Sequence, residues 1–565
     1  MNRRIGLAAG LLLFALCAVH SASNLLFVWK YWWRLPFWDQ ADWQVRYAEG
    51  GLRAVMLGQF NEHRWIVPAP FFAADIEWFH ASGAFVQVLL IAAQLATFAW
   101  LLAPLLRRET LPSPAACALG GLFLVWATWL EQCDNLCWPL QFHTTLCNLL
   151  QVAACWCFAR GRIASATALG VVATFTFGNG FLLWPALALA SAARRRWRDV
   201  AVFVAVCAIC IAAYSIGYKT PEHHVSPLRS FDAPLGIVHY FLMWVARPFL
   251  PAAIIEQITG APVAFLSPRA NPLPALVALA GLLAFAWILF RYHRANAPSF
   301  HEHFYVPLMA LSLGTGLVIS ISRMNMGIST ALASRYVTLE LLFWASLIGL
   351  LTATLFRAGP RPATSAAWGA LIAILAAATL PANREMGQFC RERAVSLWQE
   401  SAALRLGVFD EQRWSYIVED VPRVRKLLAG YERHGRLAYA HRGISPVGDP
   451  APQFPAGQAC RGAVEQIKPV PANGRSALAI SGWSWNPAAG NEGHRVLLVD
   501  SLTKLVEGVG YVGMLRVDVE RHFHDPTLRT SGFVAYTRPL DPPRPLEVWI
   551  ESPGARYCSL GLAQP

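Results

Sequence analysis

Charged residues are scarce in this chain. Only 14% of its 565 residues are Asp, Glu, Lys or Arg, against about 25% in a soluble globular chain, while 55% are hydrophobic. That excludes an ordinary soluble fold and indicates a membrane protein with some soluble mass attached. Cys/His arrays with zinc spacing are also absent, and neither His223/His224 nor His301/His303 has the spacing of metal ligands. The twelve cysteines mostly lie inside apolar stretches (Cys117, Cys147, Cys155, Cys157, Cys207, Cys210), where they read as small hydrophobes. Ionisable groups are rare in the centres of the apolar runs. Glu340 lies near the outer end of its run, and Glu131 and Asp134 flank the loop "EQCDNLCWPLQFH". Ion-coupled transporters place charges near the bilayer midplane, so charge crowded at one face points to work at a membrane surface.

The net charge of +13 does not indicate nucleic acid. Its basic excess sits in short clusters between apolar stretches, "LLRRET", "SAARRRWRDV" and "LFRYHR", as the positive-inside rule expects of cytoplasmic loops. Apolar runs of about 20 residues each give roughly eleven transmembrane helices. They fall near 5–28, 84–106, 113–130, 143–160, 163–177, 179–193, 199–217, 272–291, 303–321, 336–356 and 364–382. The fifth and sixth are short and joined by "FGNG", as a tight hairpin or one bent unit. With Arg3 and Arg4 inside, Arg107/Arg108, Arg160/Arg162, Arg194 to Arg198, Arg291/Arg294 and Arg357/Arg361 fall on the same side. The first loop (29–83) and everything beyond 382 are then outside, which is the periplasm in a bacterium with two membranes. The opening "MNRRIGLAAGLLLFALCAVHSAS" reads as a first helix, with a cleaved signal peptide as the alternative.

Four regions follow from composition: a transmembrane domain at 1–382, a charged helical segment at 383–443, a Pro/Gly-rich linker at 444–459 and a domain of short strands at 460–565. The strands "ALAISGWSW", "HRVLLVD", "KLVEGVGYV", "SGFVAYT" and "LEVWIES" read as an antiparallel, β-sandwich-like domain. Cys460 opens it and Cys558 closes it. A disulfide is the preferred reading in an oxidising compartment, and two separate thiols are the alternative.

Two groups of residues carry candidate chemistry. The first loop holds "PFWDQADW" and "FNEHRW". If the former is helical, Asp39 and Asp42 share a face, with Trp38 and Trp43 as an aromatic belt at headgroup level. A solvated interfacial helix explains that pattern without chemistry. Glu62, His63 and Arg64, directly before the apolar "WIVPAPFF", are more easily explained as a mutually paired pocket, because charge near hydrocarbon is costly. The second group is "SRMNMGISTALASRY", where Arg323 and Arg335 on the exported side are suited to clamp a phosphate; membrane-edge anchoring is the plainer reading.

An N-terminal helix, a long exported first loop with "FWDQADW", many further spans and an exported C-terminal domain resemble the GT-C superfamily of integral-membrane glycosyltransferases. The resemblance implies a polyprenyl-phosphate-linked sugar as donor and a cell-envelope glycan or lipid as acceptor. Asp39 or Asp42 matches the superfamily's first-loop acid. The "ASRY" loop, with Arg335 and Tyr336, resembles the exported loop that supplies groups to the donor phosphate. Gln40 and Ala41 separate the two acids, whereas adjacent acids are the commoner pattern, so the base and any need for a divalent metal are both left open. The β domain, with "ISGWSWNP…RVDVERHF…SGFVAY", is similar to a module found beside bacterial glycosyltransferases. The expectation is an inverting transferase in the bacterial inner membrane, with a cytoplasmic N-terminus and a periplasmic β domain. Asp39 ahead of Asp42 is its base, Arg323, Arg335 and Arg64 are its cations, and Glu62 and His63 orient the acceptor or hold Arg64. The rivals are a non-catalytic transporter or assembly component of polysaccharide export, and a polymerase or ligase acting on lipid-linked oligosaccharide.

Overall fold

The structure, a computed structural model, describes residues 3–106, 113–219, 227–249, 272–357, 359, 362–408, 410, 447–452, 460–472, 474–485, 494–542, 544–552 and 556–563. His223, His224, Arg107, Arg108, Arg361 and most of the 411–459 stretch lie outside these. The chain divides into two compact units. One comprises Met1–Trp32, Leu52–Phe72 and Phe85–Gly387; the other comprises Trp33–Gly51, Ala73–Ala84 and Gln388–Pro565. The first loop is therefore shared between them, and the later boundary falls inside a helix.

Helices come in the order α1 (Arg3–Tyr31), α2 (Asp39–Leu57), α3 (Ala69–Phe79), α4 (Ala84–Leu102), α5 (Ser113–Thr128), α6 (Cys133–Cys137), α7 (Phe142–Ala159), α8 (Ile163–Thr174), α9 (Leu183–Ala193) and α10 (Trp197–Ser215). They continue with α11 (Pro234–Ala246), α12 (Leu273–Arg294), α13 (Phe300–Arg323), α14 (Val337–Arg357), α15 (Pro362–Ala377) and α16 (Thr379–Arg405). Among the described residues nine helices are long and apolar enough to cross a membrane. Helices suit that setting because each satisfies its own backbone groups where no water can. The chain is thus a multi-pass membrane protein.

The segments expected at 163–177 and 179–193 form the shorter α8 and α9, and Trp184 Nε1 donates to Thr174 Oγ1 at 3.1 Å across the connection, which favours the hairpin. The helix α11 is unforeseen. At 13 residues α11 is too short to register as a span. The "SFHE" start of α13 is a capping box in which Ser299 N donates to Glu302 Oε2 at 2.7 Å and Glu302 N to Ser299 Oγ at 3.3 Å. His301 and His303 are spent locally, against the Pro104 carbonyl (3.2 Å) and the Tyr292 hydroxyl (2.7 Å). Arg194 closes the other end of α12, donating to the Tyr292 carbonyl at 2.8 Å and the Ala295 carbonyl at 2.6 Å, acceptors that a helix end leaves open.

In the second unit, α2 begins at Asp39 and is interrupted at Gly51, whose φ of 69° and ψ of −176° leave the helical region. Trp43 is only 2% exposed and stacks on Tyr47 at 5.6 Å, whose hydroxyl donates to Glu77 Oε1 on α3 at 2.9 Å. Trp43 is thus a core residue of this unit, which corrects its expected place in an aromatic belt; its burial against Tyr47 is the reason.

The C-terminal domain is all-β. Its strands are β1 (Arg461–Ala472), β2 (Arg475–Trp485), β3 (Arg495–Asp500), β4 (Val506–Met514), β5 (Gly532–Thr537), β6 (Leu546–Ser552) and β7 (Arg556–Ala563). They form one antiparallel sheet ordered β1-β2-β5-β4-β3-β6-β7. A single curled sheet replaces the expected sandwich. Its outer strands come back together: Cys460 N donates to the Ser559 carbonyl at 2.9 Å, and Cys460 and Cys558 are joined by a disulfide with Cα atoms 5.1 Å apart. Val496, Leu498, Phe533 and Ile550 fill one face. On the other, Val470, Ala479 and Val534 meet Ala403 and Val408, and Leu497 and Val499 meet Ala402. Cover on both faces explains why "RVLLVD" is apolar at consecutive positions rather than alternating.

The motif residues of this domain are structural. Arg516 forks onto Asp518 at 2.9 and 2.7 Å and onto Glu465 at 2.6 and 2.9 Å, tying the helix α17 (Val517–Phe523) to β1. Trp483 packs with Val519 and Leu528. The Arg516 hydrogen bonds hold the Asp518 carboxyl down to about 2, and those of Arg495 hold Glu551 below the usual carboxylate range. A depressed carboxyl contributes stability above its unfolded value, near 4, and loses it as pH falls towards the folded value. Arg516→Ala is therefore expected to make the domain unfold at a higher pH during acid titration, followed by tryptophan fluorescence of the full chain. An unchanged acid midpoint would discard the assignment.

Candidate functional site

The first-loop residues Glu62, His63 and Arg64 sit on a tight turn. Phe60 and His63 exchange backbone hydrogen bonds of 2.8 Å in each direction, with Asn61 at φ 49°, a left-handed conformation that Asn tolerates. The turn is held by Arg64, 7% exposed. Its guanidinium donates to the Leu57 carbonyl at 2.9 Å, the Tyr214 carbonyl at 2.8 Å and the Ile216 carbonyl. Its backbone N–H donates to the Tyr214 hydroxyl at 2.9 Å, which donates in turn to the Glu62 carbonyl at 3.1 Å. A cation on the open carbonyls at the end of α10 complements the helix dipole. Arg64 therefore pins the loop to α10, and the expectation that it faces a phosphate or is held by Glu62 gives way to this.

The Glu62 carboxylate goes elsewhere. Arg323 Nη2, from the last residue of α13, lies 3.1 Å from its Oε1, and His63 Nε2 lies 3.5 Å from the same atom. The His63 ring packs 4.4 Å from Phe177, and a Cβ at Gly178 would stand only 2.9 Å from its Nδ1, so a glycine is needed there. The buried His143 ring lies behind, 6.3 Å from His63 and 4.7 Å from Trp65. Burial and then the Glu62 charge push the Tyr218 hydroxyl up, which puts a phenol within electrostatic reach of the same carboxylate. First loop and later loop thus meet in one half-exposed cluster of acid, imidazole and guanidinium.

The later loop carries the second cation. Arg335 lies with its guanidinium 5.5 Å over the Tyr336 ring. The charges of both Arg323 and Arg335 reach Tyr240, whose hydroxyl is 3.1 Å from Thr330 Oγ1. The segment is fixed from below. Asn135 Nδ2 donates to the Arg335 carbonyl at 2.9 Å and to Thr338 Oγ1 at 2.8 Å, and Asp134 N donates to Ser334 Oγ at 3.2 Å. Two guanidinium groups thus lie near one tyrosine, Arg323 against the Glu62 carboxylate and Arg335 within reach of the Asp134 charge.

Asp39 and Asp42 occupy the first turn of α2 in the other unit, where carboxylates meet the positive end of a helix. Sequence reasoning missed Arg247 and Tyr214; it placed Glu340 near the end of its helix, where the first turn of α14 holds it, but it did not foresee that Glu131 and Glu340 are buried. Arg247 donates to Glu131 Oε1 at 3.0 Å and to the Ala333 carbonyl at 2.6 Å. A lone Arg and a lone Glu in apolar stretches were the available signal. Among the described residues no group of three or more His, Cys, Asp and Glu could hold a metal ion. Comparison with protein-family models, curated proteins and solved structures finds no significant match.

Proposed function

We propose that this protein is a membrane glycosyltransferase of GT-C type, moving a sugar from a polyprenyl-phosphate-linked donor to a cell-envelope glycan or lipid at the periplasmic face of a bacterial inner membrane. The observation that carries this reading is the joining of Glu62 and His63 to Arg323, 261 residues away in sequence. The acceptor hydroxyl attacks the anomeric carbon, the bond from that carbon to the phosphate oxygen breaks, and polyprenyl phosphate departs with inversion. Arg323 and Arg335 meet the charge that gathers on the departing phosphate, and Glu62 holds Arg323 in place. The first-loop motif nominates Asp39, then Asp42, to take the hydroxyl proton, a contribution of about 10²–10⁴-fold. His63 beside Glu62 orients the acceptor.

A transporter reading draws on one separate observation, the charged group of Glu131, Arg247 and Glu340 buried within the membrane unit. The discriminating experiment uses purified protein in lipid with a panel of polyprenyl-phosphate sugars, following release of polyprenyl phosphate. Wild type is expected to turn over, and Asp39→Asn or Asp42→Asn to lose at least about a hundredfold while folded. Failure to consume any donor, or two amide variants that match wild type, would leave the transporter reading standing.

A further inference from the structure

Beneath the Arg335 loop, the membrane unit buries two carboxylates against a single guanidinium. Glu131 is 3% exposed, Arg247 2% and Glu340 1%. The guanidinium is committed to Glu131 Oε1 and the Ala333 carbonyl, and its Nε finds no acceptor among the described residues. Both Glu340 oxygens likewise receive no hydrogen bond among the described residues. The charged groups that face Glu340 are Arg247 and Glu131, and the exposed Glu385 adds a further negative charge near Glu131. Ionised throughout, the triad would leave one negative charge unbalanced in an apolar interior, where an unpaired ion is strongly disfavoured.

From this geometry we infer that Glu340 is a binding site for a single exchangeable monovalent cation, a proton or an alkali-metal ion, which leaves the triad neutral. Two carboxylates and a guanidinium carry one net negative charge, which a singly charged occupant cancels, whereas a divalent ion would leave the buried group with a net positive charge. Occupancy has a consequence for the loop above. When the cation leaves, Glu340 becomes a second anion competing for Arg247, which also holds Ala333 directly before Ser334, Arg335 and Tyr336. The site therefore links cation occupancy to the anchoring of the segment that carries Arg335. The inference does not rest on the sugar-transfer reading, because its test needs no substrate.

The test is thermal unfolding of the full chain in lipid, for wild type and Glu340→Gln, from neutral to alkaline pH, in sodium, potassium or choline salts. Glutamine is neutral and nearly isosteric with an occupied Glu340. In choline the wild-type midpoint is expected to fall by about 5 °C or more on going alkaline, while Glu340→Gln stays at the neutral wild-type value. Restoration of the alkaline wild type by sodium or potassium identifies an alkali-metal occupant, and no restoration identifies a proton. The inference is overturned if Glu340→Gln fails to fold or is destabilised at neutral pH, since Arg247 then needs an ionised Glu340. It is equally overturned if the variant and wild type share one alkaline profile. Infrared spectra of wild type and Glu340→Gln in the carboxyl region give a second readout: a band that changes with pH or alkali ion is expected only in wild type.

Discussion

Arg323→Ala is expected to slow release of polyprenyl phosphate by about 10²–10³-fold, with the loss in kcat more than in KM. In the proposed reaction the donor is a phosphodiester with one negative charge, and the departure of polyprenyl phosphate as a monoester gathers further charge on the phosphate as the glycosidic bond breaks. A fixed guanidinium is worth more to that state than to the bound donor, which is the condition for acceleration rather than tighter binding. Arg323→Lys keeps the charge but loses the planar fork, so an intermediate rate is expected. Glu62→Gln releases Arg323 from its brace and should cost less than loss of the arginine itself. A half-exposed ion pair contributes only about 0–1 kcal/mol to stability, so the unfolding midpoint of all three variants should stay near wild type. A rate for Arg323→Ala equal to wild type would sink the role, as would a loss matched by an equal loss of folded protein.

The membrane architecture was legible because length and apolarity alone decide whether a helix can span. The helix α11 was not, since 13 residues fall short of that criterion. Strands β2 to β6 matched the apolar runs between turn residues, whereas β1 was hidden by Pro469 and Pro471, which an edge strand admits and a central strand does not. The candidate site shows a sharper limit. Residue types in "NEHR" announced a paired pocket, yet which groups pair depended on the turn at Asn61. That turn sends Arg64 to the carbonyls of Leu57, Tyr214 and Ile216 and leaves Glu62 to meet Arg323. Spacing along the chain cannot show a contact between residues so far apart. The triad is the opposite case: Arg247 and Glu340 stand out as isolated charges in apolar sequence, and only their burial beneath the Ala333–Thr338 segment shows what they hold.

Arg247→Met is expected to lower the stability of the membrane unit by about 3–5 kcal/mol, the usual result of removing one member of a buried pair. The loss has two parts. Glu131, 3% exposed, loses its guanidinium partner and must either carry an unpaired charge or take up a proton, and the Ala333 carbonyl loses its 2.6 Å donor. Replacing both members with apolar residues of similar size removes the first part, because well-packed hydrophobic substitutes for a buried ion pair are often neutral or better. The double variant Arg247→Met/Glu131→Leu should therefore recover most of the stability lost by the single change. Denaturation of the full chain in lipid gives both numbers, and the cycle of two single variants and the double gives their coupling. Two additive losses would show that the pair does not act as a unit. In the double variant the Ala333 carbonyl keeps only the Tyr336 N–H, 3.0 Å away, so hydrogen exchange through Ser334, Arg335 and Tyr336 should stay faster than in wild type even where overall stability returns. Recovered stability with a loosened loop would separate the two tasks of Arg247, balancing a buried charge and anchoring the segment that carries Arg335.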